Sequence, residues 1–470
     1  MIKAVQENFV CHLEANARRF PGKTALVWEQ GSLTWSELDR LASGFAHDLS
    51  RQGVKPGDRV ALVLPNRWDF VVAFMGILKL GATAAPLNSL LKQEELATLL
   101  SDLKPKRVVD RVKAEAGAWN TAIHTSAPAL ILYTSGSTGR PKGAVFSHSA
   151  LTFANQSWGG PVMGLTPEDQ VLAALPLAHS LGLNGGLLAP LLFGATVACV
   201  ERFSPEAVFD AIRRHRVTVF PGVATIFRRL LNSPAFAGAD FSSLRLAVSG
   251  AAPCPWELSQ EWSDRTGTRI VRGYGMTELF RPISYYAADP TDIPDAVGRP
   301  VPGVEVRIVD DDKETGKEGA GELLIKSPAA MDGYLGDPEE TRAVLEDGWF
   351  KTGDLANVSP EGYVRLVGRK RERILRGGYS IFPQEIEAVL LSHPAVAEAA
   401  VVGVPSPDLG EEVAAFVALK PMARSTEDEL LDHCKGRLAR FKYPRRVVIL
   451  KELPKGKTGK ILKSELVKES

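Results

Sequence analysis

A run of hydroxyl, glycine and lysine residues in the first third of the chain has the composition of a phosphate-binding loop. The run is Tyr133-Thr134-Ser135-Gly136-Ser137-Thr138-Gly139-Arg140-Pro141-Lys142-Gly143. Its glycines allow a tight turn whose backbone N–H groups face an anion, and the hydroxyls and Lys142 add further donors. The composition therefore predicts a cradle for a polyphosphate, with a Ser/Gly surface turn as the alternative.

The spacing within this run excludes two common loops. A Walker P-loop requires GxxxxGK[ST], but the fifth residue after Gly136 is Pro141, and Lys142 is followed by Gly143. The next residues, AVFSH, favour a strand over the helix that opens after a P-loop. The run also contains no G-x-S-x-G elbow, which disfavours an α/β-hydrolase.

Further segments with chemistry-bearing residues follow one another along the chain. They are LKLGA at 78–82 with APL at 85–87, LPLAH at 175–179, SGAA at 249–252, GYGMTE at 273–278, WFKTGD at 349–354, Gly368-Arg369 with Gly377-Gly378 and PQEIE at 383–387, and LPKGKTGK at 453–460. In this order, and together with the phosphate loop, they resemble the motifs of the adenylate-forming superfamily: acyl-CoA synthetases, adenylation domains of peptide synthetases and luciferases. The resemblance covers nearly the whole chain.

The resemblance implies a reaction in two steps. A carboxylate attacks the α-phosphate of ATP and forms an acyl adenylate and pyrophosphate. The thiol of coenzyme A then attacks the acyl carbonyl and releases AMP. ATP, Mg²⁺ and coenzyme A are thus the implied cofactors and co-substrates. Such a site must neutralise phosphate charge and hold two anions within reach of each other.

The resemblance also implies a nucleotide site. Thr134 and Glu278 would be the protein ligands of Mg²⁺, an ion that prefers oxygen donors. Asp354 would bind the ribose hydroxyls with Arg369 beside it, while Ala251 and Tyr274 would pack against adenine. The full expected set is Thr134, Ser135, Gly136, Ser137, Thr138, Gly139, Lys142, Gly250, Ala251, Ala252, Gly273, Tyr274, Gly275, Met276, Thr277, Glu278, Asp354, Arg369 and Lys460.

Lys460 and His179 join Thr134 and Glu278 as the implied catalytic residues. Lys460 would donate to the α-phosphate and the attacking carboxylate in the first step, a task suited to a point charge on a flexible stem. His179 would flank the acyl site and the path of the thiol, although a lone histidine is often structural. A surface role in a basic tail is the alternative for Lys460.

The implied coenzyme A site and hinge lie close together. Gly377 and Gly378 would let the pantetheine arm pass close to the backbone, and Arg371 would be the hinge, where the family usually has Asp or Lys. Residues 369–376 contain five basic side chains, and such a run is usually a solvated face. A second departure is Ser380, where the family commonly has Asn. A third is the short stretch between Val109 and Leu130, which implies a shortened second subdomain.

The acid and the acceptor are left open. The expected acyl pocket draws on residues 181–186, 221–227, 249–252 and 273–281, which are mostly apolar or small. This favours an aliphatic or fatty acid, with an aromatic acid as the alternative. Arg281 could instead pair the second carboxylate of a malonate-like acid, unless it is a surface arginine. Because no segment resembles a carrier domain, a coenzyme A ligase is favoured over an enzyme that loads a carrier protein.

The elements that must position these residues alternate between strand and helix. Strands are predicted at 58–66, 82–87, 106–109, 197–200 and 217–220, with helices at 67–80, 93–102 and after Ser204-Pro205. This alternation predicts βαβ units with parallel sheets. Apolar runs also end in glycine-rich turns within 129–139, 244–253 and 268–278, and ligands bind beyond the carboxyl ends of such strands.

The last hundred residues predict a small α+β unit. Helices are expected at 383–391 and from the Thr426/Glu429 capping box to Leu438, with strands at 396–404, 412–419 and 447–450. The predicted fold is therefore α/β: a large N-terminal AMP-binding domain, 1–368, of βα subdomains with mainly parallel sheets, and a small mobile C-terminal domain, 369–470.

Composition and charge limit the partners and the compartment expected for this protein. The 470 residues include 56 basic and 55 acidic ones, so no global field points to nucleic acid or an anionic membrane. The four cysteines form no CxxC pair, which disfavours a zinc or redox motif and fits the cytoplasm. Residues 181–200 carry no charge, but their glycines and Pro190 predict a buried helix, turn and strand rather than a membrane span. The expected partners are the acid and coenzyme A, and a homodimer is allowed.

Overall fold

The structure is a computed structural model that describes residues 8–113, 115–134, 141–310, 313–314, 320–372, 374–376, 379–381, 383–406, 409–438, 440, 442–455 and 461–467. The chain divides into two compact units. The first contains residues 1–306, 325–350 and 362–364, and the second contains residues 307–324, 351–361 and 365–470. The predicted domain boundary at 368/369 stays a prediction.

The helices begin and end as follows: α1 (Phe9–Arg19), α2 (Trp35–Arg51), α3 (Trp68–Leu80), α4 (Gln93–Leu103), α5 (His148–Ser157), α6 (Ser180–Leu183), α7 (Ala189–Leu192), α8 (Pro205–His215), α9 (Ala224–Leu231), α10 (Trp256–Thr266), α11 (Pro338–Val344), α12 (Pro383–Leu391), α13 (Glu427–Lys435) and α14 (Lys463–Leu466). Two π-helical segments, Trp158–Val162 and Asn184–Leu188, continue α5 and α6. Short 3₁₀ turns occur at Pro234–Gly238, Thr277–Leu279 and Lys370–Glu372.

The strands are β1 (Thr24–Trp28), β2 (Gly31–Thr34), β3 (Arg59–Leu62), β4 (Thr83–Pro86), β5 (Arg107–Val109), β6 (Pro128–Thr134), β7 (Lys142–Ser147), β8 (Gln170–Ala173), β9 (Thr196–Cys199), β10 (Val219–Gly222), β11 (Leu246–Ser249), β12 (Ile270–Val271), β13 (Gly273–Met276), β14 (Phe280–Ser284) and β15 (Arg299–Pro300). They continue with β16 (Glu305–Asp310), β17 (Lys313–Glu314), β18 (Gly321–Lys326), β19 (Gly333–Tyr334), β20 (Leu345–Glu346), β21 (Trp349–Val358), β22 (Val364–Arg369), β23 (Ile374–Arg376), β24 (Tyr379–Ile381), β25 (Val396–Ser406), β26 (Gly410–Leu419) and β27 (Arg446–Leu450).

Two sheets of the first unit are mainly parallel, which confirms the predicted fold class. One has the order β12-β11-β10-β8-β9-β1-β2 and is parallel from β12 to β1. The other has the order β19-β7-β6-β4-β3-β5, where β6, β4, β3 and β5 run parallel and β7 pairs antiparallel with both β6 and β19. A small antiparallel sheet joins β13, β14 and β15.

The core of the seven-stranded sheet is aromatic. Phe220 and Phe227 lie 5.2 Å apart between ring centroids, and Trp262 lies 5.0 Å from Phe227 in an edge-to-face arrangement. All three side chains are fully buried. Aromatic pairs in this geometry add to the stability that burial gives. These contacts pack the helices α9 and α10 against the strand β10.

The second unit is an α+β arrangement. Its C-terminal sheet has the order β24-β23-β26-β25, with β27 parallel to β26. Helices α12 and α13 lie against this sheet and bury Ile386, Leu390 and Leu430 in its core. Strands β16, β18, β21 and β22, which lie mostly in the second unit, neighbour one another in a further sheet.

Several predicted boundaries are confirmed and three need correction. The strand predicted at 217–220 is β10, which begins at Val219 and ends at Gly222. Ser204 caps α8 by accepting from Ala207 N, and Thr426 forms the predicted capping box. The helix α13 ends at Lys435 rather than Leu438, because Gly436, a poor helix former, breaks it. The strand predicted at 58–66 ends at Leu62, because Pro65 cannot donate to a strand ladder.

The uncharged segment 181–200 is buried inside the first unit. It forms α6, a π-helical stretch and α7, turns at Gly194 with φ +75°, and enters β9. None of the helices in the described part of the chain is long and apolar enough to cross a membrane. The predicted helix, turn and strand is therefore confirmed.

One buried histidine gives the fold a dependence on pH. His148, the first residue of α5, is fully buried, and neither ring nitrogen has a hydrogen-bond partner among the residues that the structure describes. Burial lowers the pKa of His148 to about 4. The unfolded chain binds a proton near pH 6.5, so stability contributed by neutral His148 is present above that pH and is lost as the pH falls toward about 4.

We therefore expect His148→Asn to flatten the pH dependence of unfolding. Between pH 7 and pH 5 the wild type should lose about 2 kcal/mol through this group, and the variant should not. Urea unfolding at both pH values measures the difference. His124→Asn, at an exposed position, is the matched control. Equal pH slopes for wild type and His148→Asn would contradict the assignment.

Candidate active site

The phosphate loop closes a β-hairpin in the first unit. Thr134 ends β6 and Lys142 begins β7, and the two residues are register partners. The strand after the loop confirms the exclusion of a Walker P-loop, which would open a helix. Of the predicted loop residues, Thr134 and Lys142 are placed; Ser135, Gly136, Ser137, Thr138 and Gly139 lie outside the described residues.

Lys142 is held by a carboxylate that its own motif does not contain. Its ammonium forms an ion pair with Glu340 of α11 and lies 5.3 Å from the ring centroid of Tyr334. The lysine side chain is 13% exposed. A partly buried cation is costly without a counter-charge, and Glu340 supplies that counter-charge.

Glu278 is also held by residues of the segment 331–341. It lies in the turn 277–279, which packs against β6. Tyr334 donates its hydroxyl to Glu278 Oε1 at 2.9 Å, and Met331 N donates to the Glu278 carbonyl at 2.9 Å. Burial, together with the neighbouring Glu278, raises the pKa of Tyr334 well above its usual value, so the phenol remains a donor.

The two predicted metal ligands offer the donor chemistry that Mg²⁺ requires. Thr134 supplies a hydroxyl and Glu278 a carboxylate, both hard oxygen donors. Within the described residues no group of three or more His, Cys, Asp or Glu side chains could hold a metal. Magnesium in nucleotide sites commonly uses few protein ligands and completes its shell with water and phosphate, so the residues present fit the ion.

Residue Phe280 follows this turn in a strained backbone conformation. Its φ is 56° and its ψ is −112°, and such a conformation costs roughly 1–3 kcal/mol for a non-glycine residue. The ring lies 4.4 Å from that of Phe146 on β7, measured between centroids. This contact joins the strand after the phosphate loop to the segment after Glu278.

The predicted adenine loop follows β11. Gly250 and Ala252 flank Ala251, which has φ +62°, a left-handed conformation that is unfavourable for alanine. The GYGMTE segment forms β13 and the start of the next turn. Gly273, Tyr274, Gly275 and Met276 therefore lie in a second sheet, paired with β14, and Thr277 begins the turn. The three glycine-rich turns thus follow strands of different sheets: β6 in one, β11 and β12 in another.

His179 precedes α6 at an exposed position. Its Nε2 lies 3.4 Å from Nδ2 of Asn88, the second residue after β4. The structure therefore brings the LPLAH segment next to the early APL segment, although nothing in either motif predicts this pairing.

The second unit holds the predicted ribose pair. Arg369 Nε lies 3.1 Å from Asp354 Oδ1, and the Asp354 side chain is 10% exposed. The two residues lie on the paired strands β22 and β21. The structure brings these two residues together, and their contact with a ribose stays a prediction.

The basic run after Arg369 is not simply a solvated face. Lys370 pairs with Glu322 at 2.8 Å, and Arg376 pairs with Glu412 at 2.6 Å. Arg371 lies in the turn 370–372, and the position of its side chain is outside the described part. Lys460, Gly377 and Gly378 also lie outside the described residues. Residues 455 and 461, which flank the lysine loop, form an antiparallel bridge.

The segment 331–341 contributes residues that the sequence did not indicate. Glu340 and Tyr334 contact Lys142 and Glu278, yet they lie 198 and 56 residues away from them in sequence. No short motif links such distant positions. The only local signal is Asp337, which caps α11 before Pro338 and so places Glu340 in its first turn.

Known sequences and structures decide the family. The AMP-binding enzyme family matches residues 13–122 and 113–335, and the AMP-binding enzyme C-terminal domain matches residues 385–460. The chain belongs to the AMP-binding enzyme family. Its fold and motifs are those of the adenylate-forming superfamily, and it is an acid–thiol ligase of the acyl-CoA synthetase type.

Relatives of this family member act on different acids. A feruloyl-CoA synthase of Amycolatopsis is 35% identical over 477 residues, which cover 96% of each chain. A long-chain-fatty-acid–CoA ligase of Bacillus subtilis is 32% identical over 526 residues, covering 97% of this chain and 93% of the other. ATP-bound MatB from Rhodopseudomonas palustris superposes with a TM-score of 0.88 at 31% identity, covering 98% of this chain and 99% of that one.

The pairing of Lys142 with Glu340 predicts competition with ATP. Because Glu340 occupies the lysine that the β- and γ-phosphates would use, Glu340→Gln should tighten ATP binding about fivefold, the value of a partly exposed ion pair. AMP lacks those phosphates, so its affinity should not change. Titration calorimetry with both nucleotides measures this. Glu339→Gln, at the adjacent exposed position, is the control, and weaker or unchanged ATP binding in Glu340→Gln would refute the competition.

Asp354 gives the complementary prediction. A ribose contact is common to ATP and AMP, so Asp354→Asn should weaken both nucleotides equally, by about 10- to 100-fold for a lost charged hydrogen bond. Asp310→Asn, at an exposed position of the same unit, should leave both affinities at the wild-type value. The same calorimetric titration serves, and an effect on ATP alone would place Asp354 away from the ribose.

Proposed function

We propose that this ligase activates a carboxylic acid with ATP as an acyl adenylate and transfers the acyl group to coenzyme A, with the residues above in defined roles. The observation that carries the proposal is the arrangement at the hairpin β6–β7. It places a hydroxyl at Thr134 and a cation at Lys142 on one register pair, with the turn of Glu278 packed against the same strand. A hydroxyl, a cation and a carboxylate are the groups needed to bind a nucleoside triphosphate with its Mg²⁺.

In the first step, the protein must lower the repulsion between two anions. Lys142 would bind the β- and γ-phosphates after leaving Glu340, and the Glu278 carboxylate would stay oriented by Tyr334. Mg²⁺, when bound, would add positive charge between phosphate oxygens. Lys460 would donate to the α-phosphate and to the attacking carboxylate. Preorganised charge of this kind is the largest contribution in most phosphoryl and acyl transfers.

In the second step, the same centre must accept a thiol. Gly377 and Gly378 would border the pantetheine path, and His179, exposed beside Asn88, would flank the acyl carbonyl. Lys460 and the Gly377–Gly378 stretch cannot serve the same atoms in one arrangement. We therefore propose that the C-terminal domain turns about Arg371 between the steps, as hinges are short segments that absorb a large backbone change.

The body of the acid should be largely apolar. The π-helical segment after α6 places Gly185 beside the ring of Trp158, where an added Cβ would lie 3.1 Å from the ring, and Pro221 closes the same spot at 3.4 Å. π-Helical insertions often mark functional sites. An aliphatic acid is our first choice and an aromatic acid the second, since relatives are named for both classes.

The assignment of the two steps predicts reciprocal losses in two variants. Lys460→Ala should lower adenylate formation by at least about 100-fold, while thioester formation from a supplied acyl adenylate survives. Arg371→Pro, which fixes φ near −65°, should do the opposite. Pyrophosphate release reports the first half-reaction, and acyl-CoA formation from the adenylate reports the second.

The matched control is Lys451→Ala, an exposed lysine of the same C-terminal stretch, which should leave both half-reactions unaffected. Equal losses in both half-reactions for Lys460→Ala would remove its role in the first step. Wild-type rates for a folded Arg371→Pro protein would move the hinge elsewhere.

A further inference from the structure

Arg281 is a buried cation whose surroundings are made of carbonyls and hydroxyls. It lies on β14 and is 5% exposed, which excludes the surface arginine that the sequence left open. Its Nε donates to Ser284 Oγ at 2.9 Å, its Nη1 to the Ser249 carbonyl at 2.8 Å, and its Nη2 to the Val271 carbonyl at 3.2 Å. The acceptor carbonyls belong to Ser249 and Val271, the last residues of β11 and β12.

The guanidinium retains hydrogen-bonding capacity and charge. Arginine has five N–H donors, and the three bonds above leave one N–H on each terminal nitrogen without an acceptor among the described residues. No carboxylate of the described part forms an ion pair with Arg281. The nearest acid that influences it, Asp292, pairs with Arg272 at 3.1 Å. Burial lowers the pKa of Arg281 to about 9, so it is charged at pH 7.

The position of Arg281 connects the predicted nucleotide and acyl segments. The guanidinium carbon lies 4.9 Å from the ring centroid of Trp158, the ring that borders Gly185. A Cβ added at Gly250 would lie 3.0 Å from Nη1, and one added at Gly273 would lie 2.4 Å from Nη2. Both glycines belong to the predicted adenine site, so the cation lies directly against its backbone.

A second polar group at this place also lacks a strong partner. The hydroxyl of Ser249 is buried, with the residue 1% exposed, and among the described residues its one partner is the thiol of Cys254, a weak acceptor. Buried polar groups without good partners are rare in folded proteins and are expected where a ligand binds. Arg281 and Ser249 together offer donors to one anionic, oxygen-bearing group.

We propose that Arg281 determines substrate specificity by binding a second carboxylate of the acid, so that the substrate is a dicarboxylic acid with an apolar body. The inference rests on the proposed function and narrows its substrate class. A carboxylate can accept from both terminal nitrogens at once, the geometry in which arginine binds carboxylates best. It would also supply the negative charge that no described carboxylate places there.

The test compares acids of equal length with and without the second carboxylate. Octanedioate is paired with octanoate, and 3-(4-carboxyphenyl)propanoate with 3-phenylpropanoate, and pyrophosphate release gives kcat/KM for each. The wild type should favour the dicarboxylate of at least one pair. In Arg281→Met, whose unbranched side chain fills the space without charge, the ratio of dicarboxylate to monocarboxylate should fall about 100-fold, the usual loss for a truncated buried charge pair.

Arg281→Lys keeps the charge but loses the bidentate geometry, and it should recover part of the ratio. If Arg281→Met does not fold, Arg281→Lys provides the test. Its ratio of dicarboxylate to monocarboxylate should fall below the wild-type ratio, while its melting temperature stays near the wild-type value. A ratio unchanged in the folded variants, or a wild type that favours the monocarboxylate in both pairs, overturns the proposal.

A phosphate of the nucleotide is the other anionic group that could bind Arg281. AMP affinity, measured by calorimetry on the same variants, distinguishes the two. An unaltered AMP affinity with an altered acid ratio supports the second carboxylate. A loss of AMP affinity with an unaltered acid ratio assigns Arg281 to the nucleotide and overturns the proposal. Absence of pyrophosphate release with every acid overturns the proposed function itself, and the inference with it.

Discussion

Counter-charge for Lys142 is the constraint on which the candidate site depends. A partly buried cation is costly without a counter-charge, and the ion pair with Glu340 supplies one within the first unit. The same segment fixes Glu278 through Tyr334. Residues 331–341 thus supply contacts to both Lys142 and Glu278.

Local chemistry explains what the sequence could predict. The limits of α12 are predicted to the residue, because Pro383 fits the first helical position and Pro394 follows soon after its end. The buried segment 181–200 was equally clear, since its glycines and proline conflict with a membrane helix. Errors occurred where one residue overrides a periodic pattern: Gly436 ends α13 early, and Pro65 ends β3 early.

Long-range contacts explain what the sequence could not predict. The motifs indicated Lys142, Glu278 and Asp354, but only the fold shows that Glu340 and Tyr334 hold the first two. Arg281 illustrates the same limit. All five residues of β14 are buried, so no alternation of polar and apolar residues marked the arginine as internal. Its burial depends on strands β11 and β12, which contribute the carbonyls around it.

The contact between Phe146 and Phe280 has a mechanical consequence. Protein interiors are packed as densely as organic crystals, so neither ring can shift unless the other gives way. Phe280 is also held in a backbone conformation that it would leave if it were released. The strand β7 and the turn of Glu278 are therefore coupled through these two rings. A displacement of one of these two segments would be transmitted to the other through the two rings.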